Sequence, residues 1–188
     1  DKSKMHTLCN FIDVEKCEEA DYLKKDYYCY IGRISHEKGI KTLIAAANRL
    51  PHKLVIIGKG PLDAEMKKLA GPNVEFAGFK QWNEIKRIVG QARFCVIPSE
   101  CYENNPLSVI ESQCLGTPVL GAQIGGIPEL IQEGCNGLHF RSRDTDDLTA
   151  KIQAMYDAPF DYPSIALEAK KRYNSETYYK QLIQLYNL

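Results

Sequence analysis

From Tyr27 onward, short apolar runs alternate with stretches whose apolar positions recur at helical spacing. Runs at Tyr27–Ile31, Lys53–Ile57, Val74–Ala77, Phe94–Ile97, Pro118–Gly121 and Gly137–Phe140 predict strands, bounded by Gly or Pro. Between them, Gly39–Arg49, Leu62–Ala70, Trp82–Gly90, Pro106–Leu115, Ile127–Gln132 and Thr145–Tyr156 predict helices. Short strands separated by helices imply βαβ units and a parallel sheet. Leu54-Val55-Ile56-Ile57 is unbroken apolar sequence, as a strand covered on both faces requires. The expected fold class is α/β, a doubly wound parallel sheet of the Rossmann-like kind. Ligands of such sheets bind outside the carboxyl ends of the strands, so chemistry is expected just after Ile31, Ile57, Ala77, Ile97 and Gly121.

The ends read differently. Cys9-Asn10-Phe11-Ile12-Asp13 resembles a strand end and turn, and Ser164–Arg172 and Glu176–Leu188 predict two closing helices. Tyr179, Leu182, Ile183 and Tyr186 share a helical face, expected to pack on this domain; docking on a neighbouring domain is the alternative. Residues 1–188 read as one domain, with 163–188 as its terminal helices.

A chain of 188 residues, 44% hydrophobic and 26% charged, suits one globular α/β domain. Lys plus Arg and Asp plus Glu balance at 24 each, so a nucleic-acid partner, which calls for a basic excess, is not expected. The seven cysteines form no C-x-x-C pair, and Cys29, Cys95 and Cys114 lie in apolar runs, the usage of a reducing compartment. No apolar run reaches membrane-span length, and Asp1-Lys2-Ser3-Lys4 does not read as a signal peptide. A cytoplasmic location follows as the expectation, with peripheral contact at the inner membrane face left open.

Candidate chemistry gathers where the fold argument puts it. Gly32-Arg33-x-x-x-x-Lys38-Gly39 directly follows the first strand, and its two cations flank a loop entering a helix N-terminus. Arg grips phosphate oxygens bidentately, Lys adds a compact charge, and free N–H groups at the helix start favour anions. After the fourth strand comes Pro98-Ser99-Glu100-Cys101-Tyr102-Glu103-Asn104-Asn105-Pro106-Leu107-Ser108-Val109-Ile110-Glu111. Asn105-Pro106 reads as an N-cap with proline in the first turn, leaving the N–H groups of Leu107 and Ser108 to meet a phosphate. Glu111 shares the face of Leu107 and Ser108. Carboxylates beside a diphosphate are suited to hydroxyl groups, and Glu103 and Glu111 each could take a vicinal diol. Gly121-x-x-x-Gly125-Gly126 suits either a tight turn or close approach to a ligand. Gly58-Lys59-Gly60-Pro61 is half of a dinucleotide fingerprint and lacks the rest. Asp144-Thr145-Asp146-Asp147 has metal-binding spacing, but an N-cap with an acidic first turn accounts for it; His6, His36, His52 and His139 show no ligand spacing. No metal site and no cofactor are expected.

Together these residues resemble the family 4 (group 1) glycosyltransferases, which have the GT-B fold and retain anomeric configuration. The resemblance runs from Asn10-Phe11-Ile12-Asp13 to the final helix. It rests on Tyr30-Ile31-Gly32-Arg33, Glu37-Lys38-Gly39, Ile57-Gly58-Lys59-Gly60-Pro61, Val74-Glu75-Phe76-Ala77-Gly78, Pro98-Ser99 with Glu103-x7-Glu111, Gly116-Thr117-Pro118-Val119, Gly125-Gly126-Ile127-Pro128-Glu129 and Asn136-Gly137-Leu138. It implies the donor-binding C-terminal domain of a retaining enzyme of polysaccharide biosynthesis. Such an enzyme transfers a hexose from a UDP-, GDP- or ADP-linked sugar to a glycan or lipid-linked acceptor. By the same resemblance Arg33 and Lys38 hold the diphosphate, Glu111 the ribose and Glu103 the transferred sugar; these imply Arg33, Lys38 and Glu103 as the catalytic set. Gly32 and the backbone around Asn105, Leu107 and Ser108 contact sugar and phosphate, and Phe79 and Lys80 meet the base. Where the family commonly has Gly-Phe-Gly, this chain has Asn104-Asn105-Pro106, so the resemblance singles out no hexose. It also implies that the acceptor-binding N-terminal half lies outside this chain and that the isolated domain binds donor nucleotide but transfers sugar poorly or not at all. A GT-B-fold epimerase and a non-catalytic nucleotide-binding scaffold are the competing readings.

Overall fold

The computed structural model of the chain describes residues 6–17 and 22–186. Asp1–Lys4 and the last two residues of the final predicted helix lie outside them. Six parallel strands form one sheet: β1 (Tyr27–Ile31), β2 (Lys53–Ile57), β3 (Val74–Gly78), β4 (Cys95–Ile97), β5 (Val119–Ala122) and β6 (Gly137–Phe140). Their order, β3-β2-β1-β4-β5-β6, is that of a Rossmann-like doubly wound sheet. The helices are α1 (Ile40–Ala47), α2 (Asp63–Leu69), α3 (Trp82–Gln91), α4 (Leu107–Cys114), α5 (Thr145–Asp157), α6 (Tyr162–Tyr173) and α7 (Ser175–Tyr186).

Strand alternation sorts the core into two layers. Tyr28, Tyr30, Leu54, Ile56, Phe94 and Val96 face α1, α2 and α5, meeting Leu43, Met66 and Ile152. Cys29, Val55, Ile57, Cys95 and Ile97 point the other way, onto Val89 of α3, Val109 and Cys114 of α4 and Tyr173 of α6. Burial on both faces explains why the strands read as continuous apolar runs. At the centre of the first layer Phe94 stacks on Tyr28, with ring centroids 5.1 Å apart, and meets Tyr156 edge-on. All seven cysteines carry free thiols, and four of them are buried.

Four expectations are corrected. Cys9–Asp13 joins no sheet: Asn10 bonds to Asn105, and the Ile12 N–H donates to the Tyr173 carbonyl at 3.0 Å, so this segment straps α4 to α6. The predicted helix Ile127–Gln132 is a single 3-10 turn, Ile127–Leu130, because Ile131 already turns to extended backbone. The N-cap of α4 is Pro106, not Asn105; proline forces extended backbone on the residue before it, and the Asn105 carboxamide oxygen accepts from the Asn10 N–H instead of capping the helix. The aromatic face of α7 does not pack on this domain: Tyr179 and Tyr186 are 62% and 78% exposed, and α7 buries no residue fully.

Asp144 caps α5 as expected, its side chain accepting from the Asp147 N–H at 2.9 Å. No helix among the described residues is long and apolar enough to cross a membrane.

Truncating the central aromatic should be costly. Phe94→Ala is expected to destabilise the fold by about 3–5 kcal/mol, read as a lowered midpoint in urea.

Candidate functional site

The strand order reverses between β1 and β4, and the loops after these two strands part to opposite faces. A cavity of about 350 Å³ opens there, lined by Gly32, Arg33, Lys38, Ser99, Glu103, Leu107, Ser108 and Glu111 among others. Residues spread over some eighty positions of sequence thus meet at the reversal point, where α/β sheets bind ligands. A second hollow of about 290 Å³ adjoins it through Gly32 and Arg33 and is lined by Gly58, Lys59, Phe79, Lys80 and Ile85. Another hollow, of about 430 Å³, lies against the end of α4, Asn136 and the length of α6 from Ser164 to Tyr173, and no predicted site residue lines it.

Backbone constraints aim the cations. After β1, the Tyr30 hydroxyl donates to the Arg33 carbonyl at 2.7 Å, holding the turn that carries Arg33. A single 3-10 turn, His36–Lys38, ends at Gly39, whose φ of 66° is left-handed and from which α1 starts. A side chain at Gly39 would strike the Pro98 carbonyl, so this glycine lets the Lys38 loop lie directly on the end of β4.

The Lys38 ammonium pairs with the Glu103 carboxylate at 2.5 Å, and the Ser99 hydroxyl donates to the same oxygen, Oε1, at 2.8 Å. The other oxygen, Oε2, has no protein partner among the described residues and is available to a ligand hydroxyl. At the start of α4 the Val109 N–H already bonds to the Pro106 carbonyl, at 3.1 Å. Leu107 and Ser108, in the first turn, have no intrahelical acceptor for their N–H groups, and both residues line the cavity. Glu111, one turn further on, accepts no hydrogen bond through its carboxylate among the described residues. Burial pushes its carboxyl pKa above the usual 4.5.

The predicted residues therefore divide. Gly32, Arg33, Lys38, Glu103, Leu107, Ser108 and Glu111 share the first cavity, and Phe79 and Lys80 flank the second. Phe79 is 66% exposed, an unpacked aromatic face beside a hollow, while Lys80 pairs with Glu84 at 2.9 Å. Asn105 is outside both: its side chain and carbonyl are each bonded to Asn10. Gly125 and Gly126 approach protein, not an open cavity. A side chain on Gly126 would strike the Asn104 carbonyl, and its N–H donates to the Glu103 carbonyl at 2.7 Å, so the pair supports the loop carrying Glu103. Asp146 and Asp147 are engaged by Arg49 and Arg141. Ser99 was missed; its place four residues before Glu103 at the end of β4 was the available signal. The part Asn10 plays left no local mark, since its partner is 95 residues away.

Comparisons with known proteins bear on the fold and the family. The sequence is 33% identical over 137 residues to the sulfoquinovosyl transferase SQD2 of Arabidopsis thaliana, covering 70% of this chain and 27% of that protein. The structure superposes on the lipopolysaccharide outer core galactosyltransferase WaaB with a TM-score of 0.86 at 17% identity, covering 98% of this chain and 56% of that one. It superposes on Anabaena HepE, solved in complex with UDP, with a TM-score of 0.83 at 19% identity, covering 97% and 57%. The two likenesses in structure, at such identities, establish the fold. The chain spans between about a quarter and somewhat more than half of these proteins. The family model described as glycosyl transferases group 1 matches residues 12–179, and with that match over most of its length the chain belongs to the group 1 glycosyltransferase family.

Proposed function

We propose that this chain is the donor-binding, C-terminal half of a retaining family 4 glycosyltransferase that moves a hexose from a nucleoside diphosphate sugar to a glycan or lipid-linked acceptor. One observation carries the reading: two cations, a helix start and two carboxylates converge on a single cavity at the sheet's reversal point. Two solved structures of Anabaena HepE, one with UDP and one with UDP-glucose, share the fold and support a nucleotide-sugar ligand.

The chemistry follows from the groups. As the bond from the anomeric carbon to the diphosphate breaks, negative charge grows on the leaving phosphate. Arg33 and the N–H groups of Leu107 and Ser108 line the cavity where that charge would grow, and Lys38 joins them once the diphosphate has drawn it from Glu103, so little reorganisation is left for the step itself. Lys38 is held by Glu103 until an incoming diphosphate competes for it. Glu103 keeps the Ser99 hydroxyl on Oε1 and offers Oε2 to a sugar hydroxyl. Glu111 takes the ribose diol, and the exposed ring of Phe79 stacks on the base. In this reading Arg33 and Lys38 neutralise the charge of the leaving group, and turnover is expected to persist in EDTA. The acceptor half lies outside this chain, and the exposed Tyr179–Ile183–Tyr186 face of α7 packs against it. The set of free thiols suits a cytoplasmic setting.

Calorimetry on the full-length protein with UDP, GDP and ADP tests the reading, and silence from all three would sink it. Arg33→Ala removes a charge-assisted phosphate contact of about 1.5–3 kcal/mol and should weaken the binding nucleotide roughly ten- to a hundredfold.

Glu111 makes a separate prediction about pH. Its raised carboxyl pKa means the folded chain holds the proton more tightly than the unfolded one. The stability that this proton contributes is complete below 4.5 and declines as pH rises through the elevated value. A ribose diol donates to the ionised carboxylate, so nucleotide affinity should climb over that same interval. Glu111→Gln should flatten the climb. Pyrophosphate, lacking ribose, reports the phosphate's own titration; an identical slope for both ligands would exclude Glu111 from ribose binding.

A further inference from the structure

Arg143 is the one non-glycine at positive φ among the described residues, with φ of 65°. It stands third in the turn Arg141–Asp144, closed by the Asp144 N–H on the Arg141 carbonyl at 3.1 Å. Left-handed backbone at that place ordinarily calls for Gly or Asn, so arginine there is costly. Its side chain is 72% exposed, and solvent weakens any ion pair it makes, so fold stability does not explain the choice.

What the side chain touches does. A guanidinium NH2 donates to the Glu100 carbonyl at 3.2 Å, and Nε lies 3.5 Å from the Glu100 carboxylate. From the same turn, the Ser142 hydroxyl donates to the Ser99 carbonyl at 3.1 Å. The opposite side of this segment is held by α1 and the loop before it. Thr42 donates to the other Glu100 carboxylate oxygen at 2.6 Å, and the Glu100 N–H donates to the Glu37 carbonyl at 2.9 Å. The segment so clamped, Ser99 to Glu103, supplies both the Ser99 hydroxyl and the carboxylate that receives it.

We propose that Arg143 is a positioning residue: braced on Glu100 from a left-handed turn, it fixes the Ser99–Glu103 segment so that the Glu103 carboxylate stays over the cavity. This assignment rests on the proposed function, which gives Glu103 its sugar. The α/β framework does not require it, because the turn would close more easily with glycine. The guanidinium acts through Glu100 and touches no ligand. It should therefore govern the transferred sugar far more than the nucleotide, since Arg33 and Glu111 are held by other elements and Lys38, though paired with Glu103, sits on a turn closed by its own backbone bonds.

Arg143→Gly in the full-length protein separates positioning from turn-making. Glycine relieves the backbone, so the melting temperature should hold or rise. Turnover with the preferred nucleotide sugar should fall roughly five- to tenfold, the cost of a slightly displaced contact at the reacting sugar. The Kd for the corresponding nucleoside diphosphate should change less than about twofold on the same grounds. Arg143→Lys, with the same backbone cost but a cation, should recover part of the turnover. Glu100→Gln, which keeps the carbonyl that accepts from Arg143 and removes only the carboxylate charge, should lose part of the same turnover, and the double variant should lose no more than Arg143→Gly alone. Full turnover in Arg143→Gly would overturn the assignment, as would a loss matched by equal weakening of nucleoside diphosphate binding. A wild-type protein that binds no nucleoside diphosphate would instead remove the donor reading, and this one with it.

Discussion

At the β1–β4 boundary the sheet cannot be covered at its carboxyl ends. The chain leaves β1 for α1, which packs on one face, and leaves β4 for α4, which packs on the other. Two crossovers departing in opposite directions must part, and the gap between them has backbone loops for walls and strand ends for a floor. The lining of the first cavity comes from the ends of β1 and β4, the loops that follow them and the start of α4. The position of the cavity is thus a consequence of strand order, ahead of any particular side chain.

Charge inside that gap is nearly balanced, and the balance divides the work. Arg33 stands exposed at the junction of the two hollows, while Lys38 is half-buried and already committed to Glu103. Glu111, in the same cavity, accepts no hydrogen bond through its carboxylate among the described residues, and burial disfavours its charge. An anionic ligand rewards the cations, and hydroxyl groups reward the carboxylates. A nucleoside diphosphate sugar, the donor proposed above, carries both kinds of group in one molecule.

Precision in the site comes from loops lying on loops. Gly39 against the Pro98 carbonyl and Gly126 against the Asn104 carbonyl allow backbone to approach backbone with no side chain between them. The left-handed Arg143 belongs to the same economy, accepting an unfavourable conformation to reach a neighbouring loop. These contacts add little apolar burial; they restrict where Glu103 and Lys38 can be.

The sequence alone determined the parallel sheet, since buried strands and amphipathic helices announce themselves by local periodicity, and β1, β2 and β6 begin and end where the pattern placed them. It also determined which strand ends carry charged loops, so Arg33, Lys38, Glu103 and Glu111 were legible as candidates. Tertiary structure alone decided that Asn105 serves Asn10 and not a helix cap, that Gly125-Gly126 support a loop, that the aromatic face of α7 stays open, and that Arg143 reaches Glu100. The physical reason is range. Helix and strand follow from residues a few positions apart, whereas a side-chain partner tens of residues away is chosen by how the chain packs, and no local spacing records that choice.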